Sequence, residues 1–308
     1  MKIYKYFSGN MFSLVFARTG FCSVKCSFPK DYNDPFELFL GVDLSVPTHL
    51  LATYRETIDQ VPQFPTTCFS IAPTVAPMWA HYANNHTGFV VEYDIERLKE
   101  ELDETTIRAV SYKDTPNPDI GYMLARSAMT MKPRHVVWLQ QAVLSEAYFS
   151  KQTAWSYEQE CRMVVPQSEI ELINGFMILP IPLSCVTSII VGSRADRKLK
   201  EESISFSKEN KIDWLQEIIG TSNSLPFFRS ENGETLVFVD GALKEASRTC
   251  SDCKEPIFDD GKKCAWCRIT EADEIIAARS NPFRALDHAG ILDDYLASVS
   301  EIERRSRK

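Results

Sequence analysis

The segment WSYEQECRMVVP, residues 155–166, limits the fold more than any other stretch of this chain. The run from Arg162 to Val165 reads as the start of a strand that Pro166 closes. Side chains on a strand alternate faces, so Glu158, Glu160 and Arg162 are expected to point the same way. A half-buried strand with two carboxylates and a guanidinium on one face needs a partner for each charge, because burying an unpaired charge is costly. Two readings meet that need. In one, Arg162 clamps a glutamate as a structural ion pair. In the other, the acids line a site entered past Trp155 and Tyr157.

A length of 308 residues suits one large domain with an appendage, or two domains. Hydrophobic content of 44% and charged content of 25% are those of a soluble globular protein. A net charge of −8 excludes nucleic-acid binding over the whole surface and leaves a local basic patch as the minority reading. No apolar run is long enough to span a bilayer, so no membrane partner is expected. The N-terminal segment has no small-residue cleavage site after an apolar block and reads as mature sequence. Cys22, Cys26, Cys68, Cys161 and Cys185 lie scattered among apolar residues. Read as buried free thiols, they fit a reducing cytoplasm. The chain has no P-loop, GxGxxG turn, GxSxG elbow or HExxH helix, which argues against the common NTPase, Rossmann, hydrolase and zincin classes.

Helical and strand patterns mix without regular alternation, which predicts an α+β fold and not a doubly wound sheet. Helices are expected over 12–18, 46–60, 77–83, 95–104, 121–150 (with a break near Pro133) and 195–210. Strands are expected over 23–28, 65–70, 89–93, 110–112 and 186–191, with a hairpin turning at Asn232-Gly233. This first domain covers 1–246. Cys250-x-x-Cys253 and Cys264-x-x-Cys267, ten residues apart, predict a structural zinc ribbon over 247–270. Four thiolates leave no open position on the ion, and the metal supplies folding energy to a segment too short for a core. A helical tail fills 271–308, broken at Asn281-Pro282. Its second helix carries an amphipathic stripe of Ala289, Leu292, Leu296, Val299 and Ile302. That stripe packs on the first domain or serves as a partner or dimer helix.

Four further clusters stand out: Tyr4-Lys5-Tyr6, Asn33-Asp34-Pro35-Phe36-Glu37, Cys68-Phe69-Ser70, and Met78-Trp79-Ala80-His81-Tyr82 with His86-Thr87-Gly88. Asn33 or Asp34 suits a helix cap. His81 and His86 do not share a helix face, so a catalytic zinc is not expected between them. The order KY, NDPFE, CFS, MWAHYANNHTGF, a Lys and WSYEQECR resembles a widespread bacterial domain of unknown function, over roughly residues 2–195. That domain is related to abortive-infection proteins of the AbiG type.

A more distant resemblance is to the ADP-ribosyltransferases, in which a basic or aromatic residue on an early strand, a Ser on a middle strand and a late Glu-x-Glu recur in this order. The resemblance implies a mixed or antiparallel split sheet with flanking helices, and NAD as substrate. It implies that Glu160 stabilises an oxocarbenium-like ribose, Glu158 orients an acceptor and Ser70 supports them; His81, a further catalytic candidate, has no simple counterpart in that pattern. Lys5, Tyr6 and Arg162 would hold the nucleotide, and Trp79, Tyr82 and Tyr157 would stack on it. The chain departs from the pattern in lacking Ser-Thr-Ser at Ser70 and in having Lys5 as the basic residue of its first strand. Three functions are therefore weighed. The first is an ADP-ribosyl-transferring effector in phage defence or a toxin–antitoxin pair. The second is a non-enzymatic nucleotide- or protein-binding regulator that docks a partner through the tail helix. The third is a metal-dependent hydrolase or nuclease using His81 with Glu158 and Glu160.

Overall fold

In the first strand, KIYKYF, Ile3, Lys5 and Phe7 alternate with Tyr4 and Tyr6, so each face of a sheet receives a different set of side chains. The computed structural model describes residues 1–32, 34 and 41–306. It divides into two compact units, Met1–Ala246 and Ser247–Lys308.

In chain order, the first unit contains β1 (Lys2–Phe7), α1 (Phe12–Val15), β2 (Phe21–Cys26), α2 (Thr48–Asp59), β3 (Thr66–Ser70), α3 (Ala76–Tyr82), β4 (Phe89–Asp94) and α4 (Ile95–Glu101). There follow β5 (Thr106–Ala109), β6 (Ser111–Tyr112), α5 (Pro118–Thr130), α6 (Pro133–Phe149), β7 (Ser150–Lys151) and β8 (Glu160–Val164). The rest is β9 (Glu171–Ile173), β10 (Phe176–Pro182), β11 (Val186–Val191), α7 (Arg197–Asn210), β12 (Asp213–Ile218), β13 (Phe227–Ser230), β14 (Thr235–Val239) and β15 (Ala242–Glu245).

Among the described residues, ten strands form one sheet in the order β15-β14-β13-β12-β11-β4-β1-β3-β8-β5. Within that sheet the β11–β12 pair alone is parallel, and α7 makes the crossover that such a pair requires. The α+β architecture with a mixed sheet and flanking helices is thus observed. The sheet opens between β1 and β3. Strand β1 pairs with β4 from Lys2↔Asp94 to Phe7↔Phe89, but meets β3 at Tyr4↔Ser70 alone. The other end of β3 is held by the continuation of β2, where Ser27 and Thr66 exchange backbone hydrogen bonds of 2.9 Å each.

Alternation along the strands gives two cores. On one face Ile3, Phe69, Val91, Tyr93, Met163, Ile189 and Val191 pack against Cys22, Val24, Cys26, Leu179 and Ile181 of a three-stranded sheet, β2-β10-β9. On the other face Tyr4, Tyr6, Val90, Ile190, Leu215 and Phe228 pack with Met78 and Trp79 of α3. A third cluster joins α2, α5 and α6 through Tyr54, Ile120, Leu124, Leu139 and Val143.

After α3, three consecutive residues, Asn84, Asn85 and His86, are left-handed at φ 48, 55 and 67°. Non-glycine residues in that region are strained, and the strain is held by a clamp. His86 Nδ1 lies 2.9 and 3.1 Å from the Glu217 carboxylate oxygens, and the Ser193 N–H donates to the same group at 3.0 Å. Gly88 follows where an added Cβ would lie 2.0 Å from the Phe7 carbonyl oxygen, so no other residue fits.

Several expected bounds move. Strand β8 begins at Glu160, not Arg162. Glu158 ends a 3₁₀ turn, Thr153–Glu158, and the left-handed Gln159 (φ 45°) joins turn to strand. The three charged residues therefore do not alternate along a single strand. The helix expected over 95–104 stops at Glu101, and β5, an edge strand of TIRA whose side chains are mostly exposed, follows without an apolar run to announce it. The helix expected over 12–18 ends at Val15, and the second strand runs Phe21–Cys26. Cys68 is half-buried, unlike the fully buried Cys22, Cys26, Cys161 and Cys185. Asn33, Pro35, Phe36 and Glu37 of the expected cap lie outside the described residues, and Asp34 is buried. Among the described residues, no helix is long and apolar enough to cross a membrane.

The second unit carries the cysteine-rich segment and three helices, α8 (Glu271–Arg279), α9 (Pro282–His288) and α10 (Leu292–Ser306). Thr270 caps α8 in a reciprocal capping box with Asp273. Ala289 falls in the cap of α9, so the tail stripe begins at Leu292 and not at Ala289. Leu296 and Ile302 of that stripe are exposed.

Candidate functional site

The opening in the sheet is a cavity of about 270 Å³. Lys5 and Tyr6 line it from β1, Cys68 and Ser70 from β3, Glu160 and Arg162 from β8, Met78 and Tyr82 from α3, and Lys151 and Glu158 from the segment between α6 and β8. The register explains the convergence. Tyr4 pairs with Ser70, and Ser70 pairs with Glu160, so the first strand, the middle strand and the late acid form one row across three neighbouring strands. Arg162 sits opposite Cys68, two residues along on the same face.

Both oxygens of Glu160 are held. Arg162 donates from Nε to Oε1 at 2.7 Å and from its terminal nitrogen to Oε2 at 3.2 Å, and Lys151 Nζ reaches Oε2 at 3.1 Å. Lys151 also donates to Glu158 at 2.6 Å, and the Tyr82 hydroxyl donates to the other Glu158 oxygen at 2.5 Å. The Glu160 N–H donates to the Tyr112 hydroxyl at 2.7 Å. The two-stranded ladder β6–β7 places Tyr112 opposite Lys151. Arg162 is fully buried, donates to the Tyr148 carbonyl at 2.9 Å and lies over the Tyr32 ring. Burial by itself would raise the Glu160 carboxyl. Arg162, then Lys151 and the Cys68 thiol, outweigh it and bring the group from 4.5 down to about 2. The carboxylate is therefore ionised at any physiological pH.

Lys5 differs from its neighbours. Its Nζ donates to the Cys68 carbonyl at 2.9 Å and lies 5.4 Å from the Phe69 ring centre. Among the described residues it has no carboxylate at ion-pair distance, and burial holds its amine below the ordinary lysine value. The β1–β3 opening frees the Cys68 carbonyl from strand pairing with β1, and Lys5 fills the gap.

Not all expected residues reach this cavity. His81 is exposed, with its ring 6.3 Å from that of Tyr157, and neither lines the cavity. At about 100° per residue, the buried arc of α3 runs from Met78 through Tyr82 and Trp79 to Ala83, and His81 falls roughly 130° from its centre. Trp79 is fully buried and is core, not a stacking platform. Its Nε1 donates to the Pro73 carbonyl at 2.7 Å, and its ring meets Tyr6 edge-on at 5.4 Å. Tyr157 packs beside Trp155 at 6.2 Å. Conversely, Lys151, Lys25, Asp31 and Tyr32 line the cavity without having been expected to. Lys151 had a faint signal: a lone cation directly after the apolar run that ends α6, just before the acid pair.

The second unit holds the other cluster. The thiol sulfurs of Cys250, Cys253, Cys264 and Cys267 all lie within 4.8 Å of one another, and Cys253 and Cys264 are 3.7 Å apart. A tetrahedron with metal–sulfur bonds of about 2.3 Å has edges of roughly 3.8 Å. Both turns have the same shape. The Lys254 N–H returns to the Cys250 carbonyl and the Arg268 N–H to the Cys264 carbonyl, each at 3.1 Å. Cys250, Cys264 and Ile257 are the buried residues of this cluster, with Cys267 packed against them. Four cysteines so placed could bind a metal such as zinc. Around them Arg248 pairs with Asp260, Lys263 with Asp252 and Arg268 with Asp259, which neutralises three of the basic side chains a nucleic acid would meet.

Residues 78–163 match a family described as "Protein of unknown function (DUF2971)". No curated protein matches the chain. No solved structure matches it. The matched span carries Met78, Tyr82, Lys151, Glu158, Glu160 and Arg162 of the cavity, and lies outside Lys5, Ser70 and the four clustered cysteines.

Proposed function

We propose that the first unit is an ADP-ribosyltransferase-like domain that takes NAD into the cavity between β1 and β3, in an effector of the abortive-infection or toxin–antitoxin kind. The observation that supports this most is the row Tyr4–Ser70–Glu160 across three adjacent strands, with Lys5 beside it. Breaking the nicotinamide–ribose bond sends the electron pair to the leaving nicotinamide and leaves positive charge on the ribose carbon. A carboxylate that stays ionised and is already fixed stabilises that charge without reorganising. Glu160 has both properties. An acceptor hydroxyl or amine then bonds to the ribose carbon and loses its proton, with Glu158 as the neighbouring base. Lys5 and Lys25 supply charge for the phosphates, and Tyr82 is the ring within reach of the ligand. The assay is nicotinamide release from NAD. Glu160→Gln should lower it about 10²- to 10³-fold, as for loss of one preorganised electrostatic group. No release by the wild type under any acceptor would end this reading.

A second reading is favoured by one feature. Arg162 and Lys151 already satisfy both Glu160 oxygens, which weakens the carboxylate toward a further cation. In that case the cavity recognises a nucleotide without turnover. Calorimetry that shows NAD bound but not consumed selects it. A metal-dependent hydrolase has less support, because among the described residues the clustered cysteines are the one group of three or more potential ligands.

The second unit is proposed to be a structural zinc ribbon. The four thiolates would fill a tetrahedral ion and leave it no catalytic position.

A further inference from the structure

The corner between α5 and α6 is built unlike the rest of the surface. Met129 and Met131 are 84% and 83% exposed, and Trp138 is exposed too, its ring 5.3 Å from that of His135 at the corner. Between Asp119 and Glu146 the chain has no acidic residue, yet it carries Arg126, Lys132 and Arg134, in a protein whose net charge is −8. All three cations are exposed. None has a carboxylate at ion-pair distance among the described residues. They lie close together. Burial first, then the charges of Arg126, Arg134 and Lys132, hold the one imidazole between them, His135, below its ordinary value. The corner is also firm, since His135 Nδ1 and the Thr130 hydroxyl are 2.5 Å apart across the turn.

Exposed methionines and a tryptophan in the same corner as unneutralised cations match an interface that is apolar below and anionic above. A second copy of this chain is a poor occupant, because a twofold contact would bring both sets of cations together. A nucleic acid would use the cations but leave both methionines in water. We propose that this corner docks the protein on an anionic lipid surface, with Met129, Met131 and Trp138 entering the boundary between headgroups and acyl chains. The absence of a spanning segment bears on crossing a bilayer and not on lying against one. The proposal is independent of the cavity and its chemistry.

The test is co-sedimentation of the full chain with vesicles of phosphatidylcholine, alone or with about 30 mol% phosphatidylserine. Binding is expected to the anionic vesicles only. It should fall off as salt rises from about 0.1 M to about 1 M, where screening shortens from roughly 10 Å to roughly 3 Å. The triple variant Arg126→Gln/Lys132→Gln/Arg134→Gln should bind about a hundredfold more weakly. Met129→Asp/Met131→Asp should do the same with an unchanged circular dichroism spectrum, since these side chains hold nothing in the fold. A blue shift in emission on adding anionic vesicles should vanish in Trp138→Phe. Absence of binding to anionic vesicles, or equal binding by both variants, overturns the proposal. So does retention of short RNA or an acidic protein in place of vesicles.

Discussion

The molecule solves the problem of buried charge twice, in opposite ways. In the first unit, two carboxylates, a guanidinium and a lysine from residues 151–162 neutralise one another between strands of a packed sheet. In the second, four thiols fall within one short segment and have almost no apolar core behind them. The first arrangement can exist because the fold already stands. On the zinc-ribbon proposal, the second needs an outside charge before it can stand. One site would then be a product of tertiary structure and the other a cause of it.

The strongest way to break this contrast is to remove the metal. Structural zinc contributes about 10–16 kcal/mol in comparable small sites, so chelation, or Cys250→Ser, should open the segment 247–270 to protease while the first unit keeps its melting transition. Elemental analysis should find one zinc per wild-type chain. If chelation melts both units together, the separation drawn above is wrong. Next in size is Arg162→Met, which leaves the buried Glu160 with Lys151 as its one cation and should cost about 3 kcal/mol in urea unfolding. Arg162→Met with Glu160→Gln should recover part of that loss, as expected of a coupled pair.

The same carboxylate sets a pH dependence. Its folded value of about 2 lies below its unfolded 4.5. Its contribution is therefore fully present above 4.5 and drains away as pH falls through 2. The amount is roughly 3 kcal/mol, and Glu160→Gln should flatten the stability curve over that interval. Smallest is Thr270→Ala, which removes one hydroxyl cap from α8 and should cost about 1 kcal/mol of local helix stability, visible as faster amide exchange in its first turn.

What could be read in advance follows the same division. The cysteine cluster was plain from spacing, because all four ligands sit on two tight turns. In the first unit the strand character of CFS and the charge of Glu160 and Arg162 were legible, as was the order of the motifs. Their meeting was implied by resemblance, because spacing along a chain says nothing of which strands become neighbours. Lys151 is the lysine of the motif, but its role was not legible there, because that role depends on β7 lying beside β6. His81 and Trp79 were expected to face the ligand because histidine and tryptophan suit binding sites. The helical phase of α3 sends one to solvent and the other into the core. Strand β5 was missed for the reason edge strands often are, since few of its side chains are buried.

The single rung joining Tyr4 to Ser70 gives the sheet a seam. The β3–β8–β5 wing and the larger β1–β4 wing each have continuous ladders of their own, so little backbone pairing joins them, and side chains such as Lys5, bonded to the Cys68 carbonyl, hold the two together. Swapping deuterium into the backbone should reach the amides flanking that rung well before those of β4. A guest wedged across the seam, touching both wings, would slow that uptake.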